Sequence, residues 1–256
     1  MRFGCCVTSD LIDIAADAGY DYVEAPVATL LPEMPDESFR GAQARLAGSP
    51  LPLEVWNELL PQDLKVCGPS VDWPRAARYV NTAVRRAASA GGSVLVFACG
   101  PARSIPPDFD VEDALGQLTD FLRVCCAVGR GRGVIVGVEA LSAACTNLIN
   151  SIPEAMELAR SVAAPEVGVL PSCHHMGSQC QSALDVVDAA EWLAHAHISV
   201  HDLAAAEEGR SFPGEFVQAL KRADYDGRVS VEGPWTEPVR QLPQSLAALR
   251  HLCNDP

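Results

Sequence analysis

Basic residues are scarce in this sequence. Its 256 residues include 19 Lys and Arg against 33 Asp and Glu, which gives a formal net charge of -14 at pH 7. Such a charge repels a phosphate backbone, and no cluster of basic residues interrupts it. We therefore expect no nucleic-acid partner.

The N-terminal stretch MRFGCCVTSDLID lacks a long apolar segment and carries Asp10 early. A secretory signal contains an apolar region, and a membrane-spanning helix needs about 20 apolar residues. We therefore expect no membrane association and predict a cytoplasmic location.

No C-x-x-C spacing occurs among the 10 cysteines. Cys5–Cys6 and Cys125–Cys126 are adjacent pairs, and adjacent cysteines rarely form a disulfide with each other. A chain of this length can also build a core without disulfides. The cysteines are expected to be reduced and mostly buried.

No linker rich in Ser, Pro or Gly divides the chain, and hydrophobic residues make up 48% of it. One domain over residues 1–256 is predicted. Short apolar runs alternate with helical patterns in units of about thirty residues, which is typical of parallel strands joined by crossover helices. A doubly wound sheet has the same alternation, but no G-x-G-x-x-G follows the first strand. We favour the α/β class and a single (β/α)8 TIM barrel.

Three predicted strands end in groups that can bind metal or transfer protons. The strands before Glu139 and before Glu232 alternate valines with other residues, so each carboxylate lies opposite the valines at its strand end. A third strand, predicted over residues 194–202, carries His195 and His197 on one face. Because the C-terminal ends of barrel strands meet at one mouth, these groups are expected to converge.

Five segments of the sequence form a recognisable set. They are Gly100-Pro101-Ala102-Arg103, Glu139–Ser151, Cys173-His174-His175-Met176, His195-Ala196-His197 and Val229–Glu232. Together they resemble the ketose 3-epimerases of the xylose isomerase-like TIM barrel superfamily, in which the third segment is D-x-x-H-M and the fourth is H-x-H. The resemblance covers nearly the whole chain and implies a sugar isomerase or epimerase acting on a sugar-like small molecule.

In that family, Glu, Asp, His and Glu from four strand ends hold one divalent ion, usually Mn2+, Mg2+ or Co2+. The resemblance puts Glu139, His197 and Glu232 in three of these places and Ser172 in the place of the Asp. A Ser hydroxyl is a neutral, poor ligand for a hard cation, so metal affinity is expected to fall. His201, on the predicted strand face of His197, is either a substitute ligand or a loop histidine.

Two positions that grip the substrate in the family also differ. The family's second Glu corresponds to Cys145, and the Arg that follows H-x-H falls on Leu203. A site that hydrogen-bonds hydroxyl groups strongly rejects molecules without them. The loss of two polar contacts therefore implies a different or less hydroxylated ligand.

The resemblance makes Glu139 and Glu232 the proton-transfer pair, one removing a proton beside a carbonyl and the other returning it. His175, from the D-x-x-H-M segment, would contact a substrate oxygen. Further candidates for substrate binding are Arg103 as an anion clamp, and Glu24 and Asn57 if their strands turn them toward the mouth.

Three functional hypotheses follow. The first is an isomerase or epimerase of carbohydrate metabolism, or a related lyase, acting on a small hydroxylated carbonyl compound. The second is a non-catalytic descendant that binds a ligand or partner at the barrel mouth. The third, a metal-dependent endonuclease of the same fold, is disfavoured by the acidity and the shortage of spare ligands. Ketose 3-epimerases are commonly dimers or tetramers, so the resemblance also implies a homo-oligomer.

Overall fold

Eight strands form in the computed structural model, which describes residues 1–254. They are β1 (Arg2–Cys6), β2 (Tyr22–Pro26), β3 (Leu53–Asn57), β4 (Val94–Phe97), β5 (Ile135–Glu139), β6 (Val167–Leu170), β7 (Ala196–Ser199) and β8 (Arg228–Glu232). The predicted single domain over 1–256 extends beyond the described range and stays a prediction.

Helices follow the strands and lie outside them. They are α1 (Ile12–Ala18), α2 (Asp36–Ala47), α3 (Trp73–Ser89), α4 (Gly100–Arg103), α5 (Val111–Gly129), α6 (Ile152–Val162), α7 (Cys173–Ser178), α8 (Leu184–Asp188), α9 (Val200–Glu207), α10 (Phe212–Arg222) and α11 (Pro238–Asn254). Within residues 1–254, none of them is both long and apolar enough to cross a membrane.

The strands form one parallel sheet in the order β6-β5-β4-β3-β2-β1-β8-β7. Two isolated bridges bring the edge strands together, Val169 to Leu193 and Ser172 to His197. Gly168 permits this close approach, because a Cβ there would lie 2.6 Å from the carbonyl oxygen of Trp192. The predicted (β/α)8 TIM barrel is therefore confirmed, and the doubly wound alternative is wrong.

Apolar side chains pack in two places. The larger group lies between the sheet and the helices, and a smaller one contains Tyr22, Val55 and Leu170. Gly4 leaves room for the ring of Tyr22, since a Cβ at Gly4 would lie 2.3 Å from it. All 10 cysteines are free thiols, and most are buried. Burial of apolar surface on both sides of the strands stabilises the barrel.

The strand predicted over residues 194–202 ends earlier than expected. β7 stops at Ser199, whose hydroxyl accepts a hydrogen bond from the backbone N–H of Asp202 at 3.1 Å. The carboxylate of Asp202 accepts in return from the backbone N–H of Ser199 at 2.8 Å. This capping box starts α9, so His201 lies exposed on a helix and does not share the strand face of His197.

Candidate functional site

Side chains from three strands, β5, β7 and β8, meet at the C-terminal mouth of the barrel. Nδ1 of His197 on β7 lies 3.4 Å from Oε1 of Glu139 on β5 and 3.2 Å from Oε1 of Glu232 on β8. One ligand atom from each residue lies within 4.8 Å of the others. The structure thus brings together three residues that are more than 30 positions apart in the sequence, roughly the length of one strand–helix unit.

These three side chains line a cavity of ≈ 570 Å³. Asn57 and His175 line it as well, so the structure places both of these candidates where a ligand could contact them. A larger groove of ≈ 690 Å³ runs between α5 and α6 on the outside of the barrel, but none of the converging residues lines it. The mouth cavity is the one associated with the reactive groups.

Glu24 lies beneath this cavity and does not line it. Its carboxylate is fully buried, with Oε2 2.9 Å from Nε2 of His195 and Oε1 3.1 Å from Nε2 of His197. Nε2 of His195 also lies 3.1 Å from Oγ of Ser230. Direct contact between Glu24 and a substrate stays a prediction, and the contacts present are with histidines.

Charge in this cluster is distributed over four groups. Burial by itself would lower the pKa of His197, but the carboxylates of Glu232, Glu24 and Glu139 outweigh burial and raise that pKa well above its ordinary value. Burial by itself would raise the pKa of Glu139, but the charge of His197 outweighs it and lowers that pKa. One imidazolium among three carboxylates leaves a net negative charge, which attracts a cation.

Several buried polar atoms at the mouth make no hydrogen bond within residues 1–254. They are Oδ1 of Asn57, Oε1 of Glu139, Oγ of Ser172, Nδ1 of His175 and Nδ1 of His197. Such atoms are costly to bury unless water, an ion or a ligand satisfies them. Two carboxylates and an imidazole form a donor set suited to Mn2+, Co2+ or Zn2+. The residues present therefore fit a divalent cation, with the neutral Oγ of Ser172 at the neighbouring strand end.

Arg103 does not line the cavity. Its side chain is fully buried under the mouth, where Nη1 donates to the carbonyl oxygen of Phe97 at 3.1 Å and Nη2 to that of Glu139 at 2.6 Å. The predicted contact with a substrate anion stays a prediction, and the guanidinium instead joins the ends of β4 and β5.

The positions that depart from the family's pattern have different surroundings. Cys145 is exposed and lines the cavity, whereas Leu203 is buried on α9 with 3% of its surface exposed. His201 does not line this cavity and does not belong to the group of possible ligands around His197. It is therefore not a substitute ligand there. Leu203, at the position where the resemblance implies an Arg, therefore packs in the core and does not reach the cavity.

Glu58 is a cavity residue to which the sequence pattern gave no role. It directly follows the end of β3, lines the mouth and has a φ of 50°, in the left-handed region. A non-glycine residue in this conformation is uncommon and often marks a functional site. The feature of the sequence that could have identified Glu58 is its position immediately after Asn57, at a strand end.

Comparison with known proteins identifies the family and supports the fold. Residues 12–252 match the family model of the xylose isomerase-like TIM barrel. No curated protein matches the chain. The crystal structure of D-psicose 3-epimerase with D-tagatose from Clostridium cellulolyticum H10 is 19% identical and superposes with a TM-score of 0.81 over 99% of both chains.

Two further solved structures are similar. D-psicose 3-epimerase in the presence of D-fructose is 15% identical, with a TM-score of 0.82 over 100% of both chains. The apo form of 3-keto-D-glucoside 4-epimerase from E. coli is 19% identical, with a TM-score of 0.75 over 98% of this chain and 99% of the other. At these identities the likeness shows the fold, whereas the family match spans most of the chain. The chain therefore belongs to the xylose isomerase-like TIM barrel family.

Proposed function

We propose that this protein is a sugar isomerase or epimerase that moves a proton between Glu139 and Glu232. The observation that supports this most directly is the approach of both carboxylates to Nδ1 of His197 at one cavity, at 3.4 and 3.2 Å. Two carboxylates that reach the same small space can act on opposite sides of one substrate carbon. One removes the proton beside a carbonyl, and the other returns it.

A divalent cation would be held by Glu139, His197 and Glu232. When bound, it would stabilise the negative charge that develops on the carbonyl oxygen as the proton leaves. Each carboxylate has two oxygens, so a glutamate that holds a cation with one oxygen keeps the other for proton transfer. His175 lines the same cavity and can donate a hydrogen bond to a substrate oxygen.

The cavity favours an uncharged, hydroxylated substrate. Among the described residues, no Lys or Arg side chain lines it, while Glu58, Glu139 and Glu232 do. A phosphorylated substrate would therefore meet carboxylates without a compensating cationic side chain. Asn57 and His175 can form hydrogen bonds with hydroxyl groups. A non-phosphorylated ketose fits this lining, and the structural neighbours were solved with D-tagatose and in the presence of D-fructose.

The proposal is tested by hydrogen exchange, which does not require the product to be known. The purified protein is incubated in D2O with Mn2+ or Co2+ and a panel of free ketoses, inososes and hydroxypyruvate. Deuterium should appear at the carbon beside the carbonyl of at least one compound, as followed by proton NMR. If no compound exchanges and none is converted, an isomerase or epimerase acting on this substrate class is excluded.

A non-catalytic ligand-binding protein is the second candidate. Leu203 is buried and apolar where the family has an Arg, and Ser172 and Cys145 replace two acids. These changes remove charge from the positions that hold cation and substrate. Binding of a ketose without any deuterium exchange would favour this candidate, while turnover of one compound would exclude it. A cytoplasmic location and a homo-oligomeric state stay predictions.

A further inference from the structure

A series of buried polar side chains leads from the barrel interior to the mouth. The hydroxyls of Tyr22 and Ser230 are 3.0 Å apart, and Oγ of Ser230 is 3.1 Å from Nε2 of His195. His195 and His197 both approach Glu24 through Nε2, at 2.9 and 3.1 Å. All five side chains are fully buried. Hydrogen bonds of this kind offset the cost of burying polar side chains.

The contacts of Glu24 determine which nitrogen of His197 is available at the mouth. An ionised carboxylate only accepts hydrogen bonds, so an imidazole nitrogen beside it carries the hydrogen. Nε2 of His197 therefore donates to Glu24. Nδ1, the other ring nitrogen, faces Glu139 and Glu232 and makes no hydrogen bond in the described part of the chain. A cation bound at Nδ1 would take the place of the proton there. The ring is thus held with its second nitrogen directed at the two glutamates.

We propose that Glu24 is a positioning residue, which holds the His197 ring so that Nδ1 can bind a divalent cation together with Glu139 and Glu232. This inference rests on the cation of the proposed function. His195 contacts Oε2 of Glu24 and limits the movement of the carboxylate. A carboxylate behind a metal-binding histidine fixes the ring orientation and makes its ligand nitrogen more basic.

The main alternative is that Glu24 is itself a ligand. Cys6, Glu24 and His197 form a second group whose ligand atoms lie within 4.8 Å of one another. A cation there would be bound by a thiolate and would need the Glu24 carboxylate directly. The two arrangements differ in the role of Cys6, which takes no part in the cation site that we propose.

The experiment measures Co2+ binding by calorimetry and by the visible absorption of bound Co2+, in the wild type and in Glu24→Gln. The amide keeps the size of the side chain and loses the negative charge. We expect an affinity about 10- to 100-fold lower in Glu24→Gln, with unchanged absorption bands at saturation because the ligands are the same. Tyr20→Phe, which removes a buried hydroxyl that contacts Oγ of Ser245 outside this series, serves as the matched control and should bind Co2+ like the wild type.

A second variant, Glu24→Asp, keeps the charge but shortens the side chain. It should also bind Co2+ more weakly than the wild type, and it serves as the test if Glu24→Gln does not fold. Thermal melting identifies a temperature at which each variant is folded. A merely structural role of Glu24 would lower the melting temperature but would leave the Co2+ affinity at that temperature unchanged. Wild-type affinity in folded Glu24 variants would overturn this inference and leave the proposed function intact.

Cys6→Ser provides the remaining distinction. Its Co2+ affinity and spectrum should match those of the wild type. Loss of a thiolate-to-cobalt absorption band in Cys6→Ser would show that the cation lies between Cys6 and Glu24, and would overturn the positioning role. A wild-type protein that binds no Co2+ would overturn both the cation of the proposed function and this inference.

Discussion

Arg103 donates a hydrogen bond of 2.6 Å from Nη2 to the backbone carbonyl oxygen of Glu139, the last residue of β5. The same guanidinium donates to the carbonyl oxygen of Phe97, the last residue of β4, at 3.1 Å, and lies over its ring. It is fully buried. A buried cation thus joins two adjacent strand ends directly beneath the reactive cavity.

Replacing Arg103 with Met should destabilise the protein by about 3 kcal/mol, because two buried carbonyl oxygens lose a charged donor. Urea denaturation measures the free energy of unfolding. Arg240→Met is the control, because Arg240 pairs on the surface with Glu237 and both side chains are 62% exposed. That change should cost no more than about 0.5 kcal/mol. Equal effects in the two variants would contradict a bridging role for Arg103.

Removal of either carboxylate at the mouth should abolish proton exchange. In Glu139→Gln and Glu232→Gln, the amide cannot accept the substrate proton, and the rate of deuterium incorporation should fall by roughly 10²- to 10⁴-fold. Proton NMR in D2O measures the rate for any compound that the wild type exchanges. Glu157→Gln, in the groove between α5 and α6, is the control and should retain the wild-type rate. Full exchange in Glu139→Gln or Glu232→Gln would eliminate that residue as a proton carrier.

Ser172→Asp should strengthen cation binding. Oγ of Ser172 is buried without a hydrogen-bond partner in the described structure, and Asp would add a fourth, anionic ligand at the strand end beside His197. Without a cation, a further carboxylate near Glu139 and Glu232 should lower the melting temperature, because a buried charge is costly. Added Mn2+ should then raise the melting temperature more than in the wild type.

Ser172→Ala is the control for this change, since it removes the hydroxyl and adds no charge. Its response to Mn2+ should be close to that of the wild type. If Ser172→Asp gains no more from Mn2+ than Ser172→Ala does, the fourth position does not contribute to a cation site. Removal of the ion with a chelator should return each variant to its metal-free melting temperature.

Acid should weaken an ion-pair cluster at the opposite end of the barrel. Burial by itself would raise the pKa of Glu54, but hydrogen bonds from Arg2 and Arg228 outweigh burial and lower it below its ordinary value of 4.5. A carboxylate whose pKa is lower in the folded protein contributes stability above the pKa of the unfolded chain. This contribution is lost as the pH falls through the folded pKa.

The stability difference between the wild type and Glu54→Gln should therefore be largest at neutral pH and shrink as the pH falls below 4.5, the ordinary pKa of this carboxyl. Urea denaturation over a pH series measures it. In an Arg228→Met background the difference should vary less with pH, because one of the two cationic partners is gone. A difference that is constant across the series would show that the ion pairs do not act through this carboxylate.

The local pattern of the sequence predicts the barrel and two of the carboxylates at its strand ends. Hydrophobic alternation is a local property with a period of two residues, so Glu139 and Glu232 could be placed at the ends of their strands without a structure. The repeat of strand and helix fixed the parallel connection, and parallel strands deliver their C-terminal ends to one mouth. The local sequence also contains Ser199 and Asp202, the capping residues that end β7. The alternating histidines predicted a longer strand, so these capping residues were not recognised.

The positions of the other charged side chains depend on contacts between strands that are distant in the sequence. The pairing of β2 with β3 shifts register between Val23 and Glu24, and Glu24 lies below the cavity in contact with two histidines. Arg103 turns inward to carbonyl oxygens of strands β4 and β5. The direction of a side chain depends on register and on neighbours that are distant in sequence, and a local pattern of residues does not contain that information.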